Sequence, residues 1–229
     1  MEITPALGIG DLLIVKMSQV SNNLDISLIN INHNIITEFR LEPDRYQKFL
    51  LELIKFLFPH SQINLTNNGK HTYYYNSYPI RQVYLGDIVQ DGKWKLDLEN
   101  KYGDYLIFHT KLRLNNQLTS QFLKTEVIEL NDFLDNYQTN KTILIVGERY
   151  IENNRETRTH QIISLYPNLM RLSKKNRVVD LTEDNLYSGA LTFDQFLGDL
   201  NLINQAKLNV CFGIGGPLNI CQSFSENTM

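Results

Sequence analysis

Residues 208–225 read Leu-Asn-Val-Cys-Phe-Gly-Ile-Gly-Gly-Pro-Leu-Asn-Ile-Cys-Gln-Ser-Phe-Ser. The stretch opens as a short apolar strand through Val210, Cys211 and Phe212. It turns at Gly213, Gly215 and Gly216, and places Pro217 where a helix would begin. Proline suits that place because the N–H it lacks has no helical partner there. Leu218–Phe224 then has the apolar spacing of a short helix packed on a sheet. A strand, a glycine turn and a helix N-terminus bring free backbone N–H groups and the positive end of a helix dipole to one point, which suits a phosphate or pyrophosphate. The same turn also serves simply to reverse the chain, as glycine turns do in α/β folds generally. The dinucleotide fingerprint is not met, since G-x-G-G-P lacks its last glycine, and no G-x-x-x-x-G-K-[ST] loop occurs in the chain.

Working outward, the 229 residues suit one large or two small domains with a sizeable core. A net charge of −3 and an isoelectric point near 6.0 give no electrostatic footprint for nucleic acid. The one basic cluster, Arg171, Lys174, Lys175 and Arg177, reads as a solvated helix end. No apolar run reaches membrane-spanning length, and the first residues lack the basic-then-apolar layout of a signal peptide, so no transmembrane segment and a cytoplasmic location are expected. Cys211 and Cys221 flank the glycine turn on apolar positions and read as reduced core thiols, not as a disulfide or a metal pair. The five histidines show no ligand spacing, so neither a metal nor a cofactor is expected.

From the start of the chain, Met1–Ile3 is a minimal strand. Thr4–Asp11 is a loop with Gly8 and Gly10 permitting a tight turn, and Leu12–Val20 is helical. Asp11 falls where it either caps that helix or offers a carboxylate as a general base. Asp25–Asn30 reads as a strand, Arg45–Phe58 as an amphipathic helix closed by Pro59, and His60–Leu65 as a strand. Tyr73, Tyr74, Tyr75 and Tyr78 form an aromatic patch that suits packing under a loop or stacking on a sugar. Trp94 is too isolated to interpret.

Tyr105–His109 is a buried strand that delivers His109, Thr110, Lys111 and Arg113 at its carboxyl end, where open α/β sheets bind their ligands. Phe133–Asn140 is a helix running into a polar linker, which puts a domain boundary at 138/139. The strand Thr142–Val146 restarts the α/β pattern and leads to Arg149, placed for a bidentate diphosphate contact or a surface pair with Glu148. His160–Leu172 reads as a helix, Val178–Leu181 as a strand with Asp180 near its end, and Phe193–Gln205 as a helix capped by Thr192. The second half is therefore expected to run β-α-β-α-β-α.

Two stretches then coincide with one pattern. Gly8-Ile9-Gly10-Asp11-Leu12 resembles the N-terminal turn of the heptosyltransferase-like glycosyltransferases (the ADP-heptose:LPS heptosyltransferase type) of the GT-B class. Residues 196–223, with their helix, strand and Gly-Gly-Pro-Leu-Asn turn, resemble that family's donor-site block. The resemblance implies an α/β fold of two Rossmann-like domains facing a cleft, residues 1–138 on the acceptor side and a smaller 139–229 binding the nucleotide-sugar. It implies Asp11 as the base that deprotonates an acceptor hydroxyl, and Gly213, Gly215, Gly216, Pro217 and Asn219 at the donor turn. Arg149 supplies positive charge there, and Gly10, His109, Lys111 and Arg113 contact acceptor or phosphate. Nucleotide-sugar donor and glycan or other hydroxyl acceptor are the partners implied, with metal-independent transfer. Two positions depart from the family: Asn219 stands for its usual His, and Gly215 for its Asp-Ser/Thr segment. The alternatives are a nucleotide-sugar epimerase or hydrolase on the same fold, and a non-catalytic module binding a nucleotide-sugar or a partner.

Overall fold

The computed structural model describes residues 1–34, 43–67, 83–95, 101–115, 122–149, 155–156, 160–183, 192–213 and 216–229. The tyrosine patch (Tyr73, Tyr74, Tyr75, Tyr78) and Gly215 lie outside the described residues. In chain order the elements are β1 (Glu2–Ile3), α1 (Ile9–Ser21), β2 (Leu28–Asn32), α2 (Pro43–Leu57), β3 (Gln62–Thr66), β4 (Tyr105–His109), β5 (Lys111–Asn115) and α3 (Phe122–Asn136). They continue as β6 (Thr142–Glu148), β7 (Arg155–Glu156), β8 (His160–Ser164), α4 (Tyr166–Leu169), β9 (Val178–Glu183), α5 (Phe193–Gln205), β10 (Leu208–Val210) and α6 (Gly216–Phe224). The protein is α/β, and the described residues form two parallel sheets and one small antiparallel sheet. Among the described residues no helix is long and apolar enough to cross a membrane.

The chain divides into two compact units that interleave along the sequence. The first comprises Met1–Asp97, Tyr187–Asn204 and Asn219–Glu226, the second Leu98–Leu186, Gln205–Leu218 and Asn227–Met229. The boundary expected at 138/139 falls inside the second unit. The reason is local: β4 and β6, on either side of it, are hydrogen-bonded neighbours in one sheet, with Ile107 opposite Leu144. The units are therefore not two successive halves.

In the first unit β1, β2 and β3 form a parallel sheet in that order. The register sets Ile3 beside Ile29 and Ile29 beside Ile63, making one apolar face. Leu12, Leu13 and Val15 of α1, and Phe49, Leu50, Leu53, Ile54 and Leu57 of α2, pack into the same core. Their i, i+3, i+4 spacing is the stripe an amphipathic helix lays on a sheet, and each such side chain contributes about 1.5–3 kcal/mol when fully buried. The opposite face is polar: Asn30 donates to Glu2 at 2.5 Å, and Asn64 donates to Asn30 at 2.9 Å. Trp94, uninterpretable in sequence, is a core residue. Its indole N–H donates to the Gly86 carbonyl at 2.8 Å, and its ring meets Phe56 and Phe224 edge-on.

In the second unit the parallel sheet runs β10-β4-β6-β9. All five β4 side chains are buried, as an interior parallel strand requires. Leu106, Phe108, Ile143 and Ile145 pack against Leu134 of α3 and Leu165, Leu169 and Leu172. The segment expected as a helix from His160 is instead β8, followed by the single turn α4 and a 3-10 turn at Met170–Lys174. Pro167 explains the late helix start, since it suits a first turn and not a helix interior. β8 pairs antiparallel with both β5 and β7. Lys111 and Arg113 consequently belong to β5, opposite Ser164 and Ile162, and are not loop residues at the end of β4.

Candidate functional site

Strands β4, β6 and β9 are added successively to one side of the second unit's sheet, after which β10 is laid on the other side of β4. The winding therefore reverses at β4. Open α/β sheets bind ligands outside the carboxyl ends of their strands at such a reversal. His109 ends β4, Arg149 follows β6, Asp180 and Thr182 are the third and fifth residues of β9, and Cys211 to Gly213 follow β10.

Arg149 is bound within this edge. Its Nη2 donates to Asp180 Oδ2 at 3.0 Å and its Nε to Thr182 Oγ1 at 3.1 Å, while its guanidinium lies 5.0 Å from the centre of the Tyr166 ring. The Tyr166 hydroxyl donates to Asp180 Oδ2 at 2.8 Å, and the Thr182 amide and hydroxyl donate to Oδ1 at 2.9 and 2.5 Å. Burial pushes the Asp180 carboxyl up, but the two Thr182 donors, the Tyr166 hydroxyl and the Arg149 charge outweigh it and hold the group below its ordinary value. The Arg149 and Asp180 side chains keep 28 % and 24 % of their surface, so the pair borders solvent without lying open to it. The sequence places Arg149 at the strand end, but not the carboxylate that shares its charge.

His109 is 6 % exposed, and burial lowers its pKa to about 4. It is a neutral imidazole at pH 7, able to hydrogen-bond and to ligate but not to offer positive charge to a phosphate. Beside it Thr110 is fully buried, and its Oγ1 has no hydrogen-bond partner among the described residues. Lys111 is half-buried in β5, and Arg113 is described by its backbone alone.

Gly213 lies in the turn with φ +82°, a left-handed conformation that favours glycine, and α6 begins at Gly216 with Pro217 as its second residue. Asn219 lies in the first turn of α6, and its carbonyl accepts the Ser223 hydroxyl at 2.6 Å. In the first unit α1 starts earlier than expected, so Gly10 and Asp11 are helical residues. A Cβ on Gly8, the N-cap, would stand 2.6 Å from Asp11 Oδ2, so the carboxylate is folded back over the start of its own helix. There it complements the positive end of the helix dipole.

Sequence reasoning missed three participants: Tyr166, Thr182, and Cys211 as a neighbour of His109. Tyr166 was read inside a helix, and the others depend on strand pairing. No protein-family model matches the chain, and neither a curated protein nor a solved structure is detectably similar to it.

Proposed function

We propose that this protein binds a nucleotide-sugar and transfers the sugar to an acceptor hydroxyl without a metal, as a small GT-B-like glycosyltransferase in the cytoplasm. The observation that carries the reading is the winding reversal at β4, with the left-handed Gly213 leading into α6 after the adjacent strand. Backbone N–H groups at such a helix start favour a diphosphate. Asp11 is the proposed base, Arg149 the proposed diphosphate contact, and Lys111 and Arg113 the proposed acceptor contacts.

A second reading, a non-catalytic nucleotide-sugar-binding module, is favoured by two observations. The Asp11 carboxylate is folded over the Gly8 turn, and the Arg149 charge is shared with Asp180.

Thermal shift against UDP-, GDP-, ADP- and dTDP-sugars, each with magnesium and with chelator, tests both. One nucleotide is expected to stabilise the protein irrespective of magnesium, by about 2.7 kcal/mol at a hundredfold excess over its Kd. No shift with any of them overturns both readings. Transfer abolished in D11N with binding retained supports the base. Binding without turnover selects the module, and turnover with donor alone selects a hydrolase or epimerase.

A further inference from the structure

β4 and β10 are parallel neighbours with Val210 opposite Phe108. The next positions along the two chains are His109 and Cys211, one closing β4 and the other following β10. Residues in register on adjacent strands leave the same face of a sheet, across an interstrand spacing of about 4.8 Å. The Cys211 sulfur and an imidazole nitrogen of His109 accordingly lie within 4.8 Å of one another. The geometry points to a site for a thiophilic d10 cation, Cu(I), held by the Cys211 thiolate and the His109 imidazole at the carboxyl end of β4 and β10.

The chemistry of the two side chains fits that ion. Cys211 is a free thiol, not tied up in a disulfide, and as a residue it is of intermediate exposure. His109 is buried beside that sulfur, and a neutral imidazole is the commonest side-chain ligand for a metal ion. An ion bonded about 2.3 Å from sulfur and about 2.0 Å from nitrogen bridges donors roughly 4.3 Å apart. The two donor atoms lie within 4.8 Å of one another, so small side-chain rotations bring them to that span. Zinc favours four donors in a tetrahedron. Cu(I) is content with fewer and prefers sulfur and imidazole. Binding exchanges the Cys211 S–H bond for an S–Cu bond and a His109 N–Cu bond. The thiol proton passes to solvent, and copper and sulfur keep their oxidation states.

The rigidity of the edge adds to the case. His109 belongs to an entirely buried strand, and Phe108 and Phe212, which alternate with the two ligands, meet ring to ring at 6.4 Å. The donors are thus presented by a packed sheet, which lowers the ordering cost of binding.

The test uses the full-length protein, reduced and without oxygen, titrated with Cu(I) against a competing chelator. One equivalent is expected to be retained, and X-ray absorption at the copper edge is expected to show both a sulfur and a nitrogen donor. C211S and H109Q are each expected to weaken retention by at least the roughly 10–100-fold that loss of an outer-shell partner costs a metal site. Since replacing a buried histidine endangers folding, the native protein supplies a second readout: Cu(I) is expected to protect Cys211 from alkylation by iodoacetamide, mapped on the Cys211 peptide. Copper held as tightly by folded C211S as by the native protein overturns the site. So does a copper edge lacking either donor type, or an alkylation rate at Cys211 that copper leaves unchanged.

Discussion

Gly147 carries φ +105°, and a Cβ there would stand 2.7 Å from Thr110 Oγ1. Backbone and neighbour therefore both exclude a side chain, and G147A is expected to cost about 1–3 kcal/mol in urea unfolding. His109 gives the pH dependence its sign. Its folded pKa of about 4 lies below the unfolded value of about 6.5, so the unfolded chain takes up the proton first. Stability is full above about pH 6.5 and falls by up to about 3 kcal/mol as pH drops toward 4. H109Q is expected to lose that slope; an unchanged slope between pH 6.5 and 4 would exclude His109 as its source. Asp180 acts lower on the scale. Its depressed carboxyl contributes stability above the ordinary aspartate range that is lost as pH falls below it. D180N strands donors of Thr182, Tyr166 and Arg149 and is expected to cost about 1–3 kcal/mol at pH 7.

At the scale of elements, what was legible was what is local. α5 begins with a capping box in which the Gln195 amide donates to Thr192 Oγ1 at 3.2 Å and the Thr192 amide donates to Gln195 Oε1 at 2.9 Å. Four neighbouring residues contain that whole signal, and the helix bounds Phe193–Gln205 agree with expectation. T192A is expected to cost about 1 kcal/mol, measured by chemical denaturation. Tyr105–His109 was legible because a run of buried apolar residues has few other uses. His160–Ser164 was not, because His-Gln-Ile-Ile-Ser carries both strand and helix propensity and only pairing with β5 and β7 decides between them. The start of α1 was misplaced because Gly8 and Gly10 suggest a turn, whereas Gly10 is tolerated inside the helix.

For the molecule as a whole, interleaving has a testable consequence. A fragment of residues 139–229 lacks β4, the strand between β10 and β6, and a fragment of residues 1–138 lacks Phe196, Leu200 and Phe224 of the first core. Neither is expected to give the dispersed NMR spectrum of a folded domain. A folded 139–229 fragment would contradict the division into units. Trp94, the one tryptophan, belongs to the first core, so its fluorescence follows unfolding of that unit. W94A removes a ring packed on Phe56 and Phe224 and is expected to cost about 3–5 kcal/mol.

The amino-acid sequence by itself determined the α/β class, most helix and strand positions, the glycine turn before α6 and the placement of Arg149 at a strand end. Each of these follows from apolar periodicity, capping or glycine geometry within a short window. Only the tertiary structure decided the strand order, the interleaved units, the Asp180 partner of Arg149 and the approach of Cys211 to His109. Those features join residues distant in sequence through hydrogen-bonded strand ladders. The side chains that meet carry no mark of one another, because the backbone register, not their own chemistry, brings them together.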